Sequence, residues 1–157
     1  MKKIIIPHNS LTIAKEEKKA ALKVLDSGWL TSSDQVELLE NEMCKFFSIP
    51  KGHAIVVSSG SSALYLALWI LKATKKKVGI PVYSCCSLRN AAHLIGAKPI
   101  YLDSSYQNPN IDIEAVKKTH LDILIAPSMY GIPVELNPPM PFKVIEDISQ
   151  AFGSKIN

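Results

Sequence analysis

At 157 residues the chain is long enough for one domain with a substantial core, since a domain of this size buries about two thirds of its unfolded surface. Hydrophobic residues make up 47% and charged residues 20% of the sequence, and no apolar stretch approaches the roughly 18 residues of a membrane span. The net charge of +4 includes the run 75–77, but no interleaved aromatic residues or groove-reading motif accompany it, so we expect no nucleic-acid partner.

The N-terminus and the cysteines predict a protein of a reducing compartment. The opening MKKIIIPHNS has only three consecutive apolar residues before Pro7, whereas a signal-peptide core needs about 7 to 15. The cysteines Cys44, Cys85 and Cys86 are odd in number and lack CxxC spacing, which favours reduced thiols over a disulfide framework or a zinc site. We therefore expect a cytoplasmic location.

Two amphipathic helices are predicted at the start of the chain. Residues 13–27 place apolar side chains among lysines and glutamates at helical spacing, and Gly28 follows where a left-handed cap would lie. Residues 34–47 repeat the pattern, with Ser32 or Ser33 available to cap the first turn. The region 1–53 is therefore predicted to be an N-terminal helical segment.

From residue 54 onward, short apolar runs alternate with helical stretches, which is typical of a parallel sheet covered on both faces. The runs 55–57 and 123–125 are apolar at successive positions, as expected of strands buried on both sides. We predict an α/β fold, a three-layer sandwich with a mainly parallel sheet, over residues 54–157. The predicted strands are 54–58, 77–82, 98–103, 122–127 and 142–147, and the predicted helices between them are 63–73, 88–95 and 113–118.

Ligands of open α/β sheets collect at the carboxyl ends of the strands, so the junctions there are the candidate site. In VSSGSSAL, residues 57–64, a predicted strand turns through Gly60 into a helix. The free amides, the helix dipole and the hydroxyls of Ser61 and Ser62 would form a phosphate cradle. A helix capped by Ser59 or Ser61, with no ligand, explains the segment equally well. Nucleoside triphosphate and dinucleotide fingerprints are absent.

Two further junctions carry polar side chains. IPVYSCCSLRNA, residues 80–91, follows the second predicted strand and contains Cys85. VIEDISQ, residues 144–150, ends the last predicted strand with Asp147, and Gln150 follows it. By itself, an aspartate at the end of a strand is more often a loop cap or a salt-bridge partner than a cofactor ligand.

Taken together and in this order, the junctions resemble the DegT/DnrJ/EryC1/StrS family of pyridoxal-phosphate (PLP)-dependent sugar aminotransferases, which have the aspartate-aminotransferase fold. The resemblance covers the chain nearly end to end and corresponds to the N-terminal half of the family, with part of the PLP-binding large domain. The matching segments are SGWLT at 27–31, SGSSAL at 59–64, PVYS, NA and GAKP within 81–99, MYGIP at 129–133 and VIEDISQAFG at 144–153.

The resemblance implies a cofactor-binding site for PLP. The turn around Ser61 would hold the cofactor phosphate, and Gln150 would lie near the phenolic oxygen of the ring. Asp147 would keep the pyridine nitrogen protonated, because a carboxylate within about 4 to 6 Å favours the charged form of its partner by ~1.4 kcal/mol per pKa unit. The implied cofactor-binding residues are Gly60, Ser61, Ser62, Cys85, Asp147 and Gln150.

Three positions depart from the pattern of the family. Cys85 stands where an aromatic ring usually stacks on the cofactor, and a cysteine offers no equivalent flat surface. Ser128 replaces the histidine that often opens the LYGxP segment, and Ile132 replaces a polar residue after its glycine. We expect weaker cofactor binding and altered substrate contacts at that end.

The Schiff-base lysine of the family comes from a segment well beyond the Asp147 block, so we expect this chain to contain no catalytic residue of its own and no C-terminal small domain. Lys155 is too close to Asp147 in sequence to serve, and a solvated side chain explains it. A strand position beside the Asp147 strand would stay unfilled. A homodimer or a complementary C-terminal chain is the expected partner.

The resemblance therefore implies part of an enzyme that transfers an amino group from glutamate to a nucleotide-linked keto sugar, in cell-surface polysaccharide or amino-sugar biosynthesis. Some members of the family dehydrate sugars with the same cofactor, and the sequence does not separate the two reactions. One alternative is a non-catalytic module of the same fold that binds PLP or a nucleotide sugar, or serves as an interaction subunit. Another is an unrelated phosphate-binding α/β domain.

Overall fold

The computed structural model describes residues 11–136 and 140–156. The chain divides into two compact units, Met1–Val56 and Val57–Asn157. The predicted division after residue 53 lies in the same loop as this boundary. Within the described ranges, no helix is both long and apolar enough to cross a membrane.

Residues 11–56 of the first unit contain two helices, α1 at Lys15–Asp26 and α2 at Asp34–Phe46. Helix α1 begins after Ala14, whose N–H donates to Oε2 of Glu17 at 2.7 Å, and it ends before Gly28, which has φ +69°. The left-handed cap is therefore where the sequence predicts it, at a residue with no Cβ to oppose that conformation.

Helix α2 begins at the second of the two serines that the sequence offers. The Ser33 hydroxyl accepts a hydrogen bond from the N–H of Gln35 at 3.4 Å, and the Ser33 backbone is extended, as a cap residue requires. The Ser32 carbonyl instead accepts from the indole N–H of Trp29 at 3.1 Å. Local side-chain chemistry thus fixes the start of α2.

The described part of the second unit contains a parallel sheet of four strands, β1 Lys77–Pro81, β2 Lys98–Leu102, β3 Ile123–Pro127 and β4 Lys143–Asp147. Their order in the sheet is β2-β1-β3-β4, which confirms the α/β prediction. Pro99 lies on the edge strand β2, where a missing N–H is tolerated. The helices are α3 Gly60–Ile70, α4 Cys86–Leu94, α5 Ile113–Lys117 and a short 3₁₀ turn at Met129–Gly131.

Apolar residues cover both faces of this sheet, which produces the three predicted layers. Strand β3 is buried along its whole length, with Ile123 and Ile125 facing one core and Leu124 facing the other. This is the burial expected of a central parallel strand. The first core includes Leu64, Leu68, Val78, Ile80, Leu88, Ala91 and Ala92, and the second includes Leu102, Ile111, Val116, Leu121 and Ala126.

Gly79, in the middle of β1, is required by close packing. A Cβ added at this position would lie 2.6 Å from Cδ1 of Leu121 and 3.2 Å from Cδ1 of Leu124, both of which are buried. The second core therefore packs directly against the backbone of β1, and a side chain here would force its neighbours to move.

The prediction of a strand over 54–58 is wrong. Residues 54–57 have no regular secondary structure and form no ladder with any strand of the described chain, and Ile55 is 68% exposed. The N–H of Val56 donates instead to a carboxylate oxygen of Glu40 at 2.9 Å. A β-branched run supplies strand propensity, but a strand also needs a neighbour to satisfy its backbone groups, and this segment has none in the described residues.

Candidate cofactor site

At the start of α3, the backbone N–H groups of Gly60 and Ser61 have no hydrogen-bond partner among the described residues. Ser59 is the N-cap, and its hydroxyl accepts from the N–H of Ser62 at 3.1 Å. Helix geometry leaves the N–H groups of Gly60 and Ser61 without a partner inside the helix. A Cβ added at Gly60 would meet no atom within 4 Å, so the space above this turn is open. The cap and the phosphate cradle, which the sequence left as alternatives, are therefore compatible.

The carboxylate of Asp147 lies at the carboxyl end of β4 and is half-buried. Its Oδ1 accepts hydrogen bonds from the Ser149 N–H, at 3.1 Å, and from the Ser149 hydroxyl. Oδ2 has no hydrogen-bond partner in the described part of the chain. One oxygen thus fixes the orientation of the carboxylate, and the other remains able to accept a hydrogen bond.

Cys85 is the residue before α4 and is exposed. Hydrogen bonds from the hydroxyl and the backbone N–H of Ser87 lower the pKa of the Cys85 thiol below its ordinary value. The negative charge of Asp147 acts in the opposite direction and is a smaller influence. The thiol therefore lies within electrostatic range of Asp147 and ionises more readily than an ordinary cysteine.

A single cavity of about 640 Å³ brings four of the six predicted site residues together. The N-terminus of α3 lines one part of it, and the end of β4 lines another. Among residues 11–136 and 140–156, no lysine or arginine lines this cavity, so backbone amides and hydroxyls are the donors that these residues offer to an anion. The predicted residues that line it are Gly60, Ser61, Cys85 and Asp147, and the apolar residues include Leu64, Ala67, Ile145, Ile148 and Phe152.

The other two predicted residues, Ser62 and Gln150, are not part of the cavity lining. The Ser62 hydroxyl lies 2.9 Å from the Ser59 hydroxyl and 3.4 Å from that of Ser58, so it belongs to the cap of α3. The Gln150 Oε1 accepts from the N–H of Tyr130 at 3.1 Å. Their roles toward a ligand stay predictions.

The chemistry of the cavity suits a ligand with an anionic group at one end and a protonated nitrogen at the other. Free N–H groups at Gly60 and Ser61 can bind the anion, and the free oxygen of Asp147 can accept from the nitrogen. Apolar side chains line the space between them and can contact the body of the ligand. No cluster of histidine, cysteine or carboxylate side chains suited to a metal ion occurs among residues 11–136 and 140–156.

A pair of tyrosines beyond the cavity was not predicted to have a role. The hydroxyls of Tyr83 and Tyr130 lie 2.7 Å apart, although 47 residues separate them in sequence. This hydrogen bond raises the pKa of the Tyr130 phenol above its ordinary value. Both residues fall in segments on which the family resemblance depends, PVYS and MYGIP, and that is the signal that could have identified them.

Comparisons with known proteins identify the family and the fold of the chain. The sequence matches the DegT/DnrJ/EryC1/StrS aminotransferase family over residues 11–157. It is 32% identical to GDP-perosamine synthase of Escherichia coli O157:H7 over 161 aligned residues, which cover 96% of this chain and 44% of the relative. The chain thus spans less than half the length of this curated relative.

Two solved structures show the same fold. One is a GDP-4-keto-6-deoxymannose-3-dehydratase with bound GDP-perosamine, with a TM-score of 0.82 and 25% identity over 96% of this chain and 43% of that one. The other is the same kind of enzyme with a trapped PLP-glutamate geminal diamine, with a TM-score of 0.80 and 25% identity over the same shares.

Proposed function

Because the chain belongs to the DegT/DnrJ/EryC1/StrS aminotransferase family, we propose that it forms the N-terminal part of a PLP-dependent enzyme acting on a nucleotide-linked keto sugar. The reaction is amino transfer from glutamate, in cytoplasmic biosynthesis of amino sugars or cell-surface polysaccharide. The observation that carries the proposal is the cavity in which the α3 turn and Asp147 lie together. The relatives support it, since one synthesises GDP-perosamine and others were solved with PLP or a nucleotide sugar.

Five of the residues that line the cavity have a definite task in this proposal. The N–H groups of Gly60 and Ser61 would bind the cofactor phosphate at the positive end of the helix dipole. Oδ2 of Asp147 would accept the hydrogen bond from the ring nitrogen and hold the proton there, because the carboxylate stabilises the positive charge. When bound, PLP supplies the electron sink for the loss of a proton from the substrate carbon next to the amine. Phe152 and Leu64 would keep water out.

The lysine of the complete active site is proposed to lie outside these 157 residues. In the part of the chain that the structure describes, no lysine lines the cavity, and Lys155 is not among the residues that surround it. The chain spans 44% of the GDP-perosamine synthase it matches. We therefore propose a complementary C-terminal segment or a second subunit as the partner that completes the site.

Complementation tests this proposal. The chain is mixed with a separately produced C-terminal half of a relative, together with PLP, glutamate and a GDP-linked keto sugar, and the amino sugar is measured by mass spectrometry. We expect product only when both parts are present. A C-terminal half with its cofactor-binding lysine changed to alanine is the control and should give none. Absence of product from a mixture that forms a stable complex contradicts the proposal.

A non-catalytic binding module is the second candidate, and the absence of lysine from the cavity lining is the observation that favours it. In this case the chain binds PLP or a nucleotide sugar reversibly, through the α3 turn and Asp147, without transferring an amino group. The two candidates differ in the complementation assay, because the module predicts ligand binding with no product in any mixture.

A further inference from the structure

The turn that follows β3 is anchored to other segments of the second unit. The N–H of Ser128 donates to the backbone oxygen of Asp147 at 2.9 Å, and the Ser128 hydroxyl accepts from the N–H of Val134 at 3.1 Å. The N–H of Met129 donates to Oδ1 of Asn110 at 2.8 Å. These bonds fix the path of the backbone between Ser128 and Val134.

Asn110 is the buried anchor of this turn, with 4% of its surface exposed. Its Nδ2 donates to the carbonyl oxygens of Ile132, at 3.0 Å, and Pro133, at 3.4 Å. With the bond from Met129, one carboxamide therefore holds both the start and the end of the turn. Removing it would take this acceptor from the buried Met129 N–H and this donor from the partly buried carbonyl oxygens of Ile132 and Pro133.

The path of the turn determines the backbone at Tyr130. This residue has φ 54° and ψ 33°, a left-handed conformation that costs a residue other than glycine about 1–2 kcal/mol. In this conformation its N–H donates to Oε1 of Gln150 at 3.1 Å. A backbone N–H can only donate, so Gln150 must direct its oxygen toward Tyr130. The NH₂ group of Gln150 has no hydrogen-bond partner within the described ranges.

We propose that Asn110 is a positioning residue: by fixing the 128–134 turn it holds the Tyr130 N–H against Gln150 and sets the direction of the Gln150 carboxamide. The NH₂ group of Gln150 is thereby kept free to donate to an anionic oxygen of a ligand. This last consequence rests on the proposed function and on the family resemblance, which implies that Gln150 lies near the phenolic oxygen of PLP.

Hydrogen exchange at the Tyr130 amide, in the full chain without cofactor, tests the link from Asn110 to Gln150. We expect Asn110→Ala and Gln150→Ala each to speed exchange about fivefold or more, the effect of losing one hydrogen bond. Gln150→Glu keeps an oxygen acceptor and should retain protection. The matched control is Asn108→Ala, because the Asn108 carboxamide accepts from the Asn110 N–H at 2.9 Å but makes no bond to the turn.

The role of the Gln150 carboxamide toward a ligand is tested with bound PLP. The measurement is the pH midpoint of the absorbance change of the bound cofactor. A donor beside an ionised oxygen favours the ionised form, so losing the Gln150 NH₂ group raises the midpoint. Asn110→Ala should raise it in the same direction, and should add nothing in a Gln150→Ala background. An equal shift in both backgrounds would show that Asn110 does not act through Gln150 and would overturn the proposal.

A second variant is available if Asn110→Ala does not fold. Asn110→Ser is then measured in its place, both in the otherwise unchanged chain and together with Gln150→Ala. If the Tyr130 amide exchanges as fast in the unchanged chain as in the Gln150→Ala variant, the proposed hydrogen bond between Tyr130 and Gln150 does not protect it, and the proposal is overturned. If the unchanged chain binds no PLP, the proposed function fails, whereas the exchange measurement still decides whether Asn110 positions Gln150.

Discussion

The two compact units of this chain are built in different ways. In the first, Cys44 is the single buried apolar residue among those described, and helix α1 buries none. In the second, the sheet carries a core on each face, and five consecutive residues of β3 are buried. The helices of the first unit therefore depend on caps and spacing, whereas the strands of the second depend on contacts between distant segments.

The largest expected effect of a substitution lies in the sheet. Leu124→Ala empties a fully buried position on β3 and should lower the free energy of unfolding by about 2–5 kcal/mol. Leu22→Ala on α1 removes a side chain that is 58% exposed and should change the free energy of unfolding by less than about 0.5 kcal/mol. Native-state hydrogen exchange of β3 and α1 amides measures each unit. Similar losses of stability in the two variants would contradict the difference between the two units.

Substitutions at two glycines distinguish the effect of close packing from the effect of backbone conformation. Gly79→Ala should cost about 1–3 kcal/mol, because the new methyl group collides with Leu121. Gly28→Ala should cost about 1–2 kcal/mol for a different reason, its left-handed φ in open space.

Asparagine distinguishes the two reasons, because it tolerates the left-handed region. Gly28→Asn should recover part of the stability of α1, whereas Gly79→Asn should be worse than Gly79→Ala. Thermal unfolding of the four variants provides the measurement. Recovery by asparagine at Gly79 would show that close packing is not what requires glycine there.

Loss of a cap should have a smaller effect, confined to the first unit. Ser33→Ala removes the hydroxyl that accepts from the Gln35 N–H and should cost about 1 kcal/mol in the stability of α2. Ser32→Ala is the matched control, since the bond to Trp29 uses the Ser32 backbone oxygen. Circular dichroism during urea unfolding measures both. Equal effects of the two substitutions would show that Ser33 is not the cap.

The smallest expected effect is a change in the ionisation of one thiol in the second unit. The hydroxyl of Ser87 stabilises the thiolate of Cys85, so Ser87→Ala should raise the pKa of Cys85 toward its ordinary value. The pH midpoint of Cys85 alkylation by iodoacetamide, resolved by mass spectrometry, should rise with it. Ser84→Ala should leave the midpoint unchanged, since the Ser84 hydroxyl donates to the Pro81 carbonyl. A midpoint that falls in Ser87→Ala would contradict this account.

The sequence predicts elements well where one local signal suffices. Helix α2, its serine cap and the left-handed Gly28 all follow from the chemistry of a few neighbouring residues. The run 54–58 fails because β-branched composition reports propensity and says nothing about whether a neighbouring strand is available.

The candidate site was predictable in part for the same reason. Gly60, Ser61 and Asp147 belong to recognisable segments, and the first turn of α3 and the carboxyl end of β4 line the same cavity. Asn110 was missed, because its partners lie 19 to 23 residues further along the chain and nothing in its local sequence marks its side chain as buried. Such a role depends on the tertiary fold.

Titration of the full chain with PLP, followed by the absorbance of the bound cofactor, tests the central claim most directly. We expect the unchanged chain to bind PLP. Asp147→Ala should remain folded but bind PLP about tenfold or more weakly, because it loses a charged hydrogen bond. Asp103→Ala removes a carboxylate at the end of β2, outside the cavity, and should bind normally. Equal PLP affinity of Asp147→Ala and the unchanged chain would contradict the claim that Asp147 holds the cofactor.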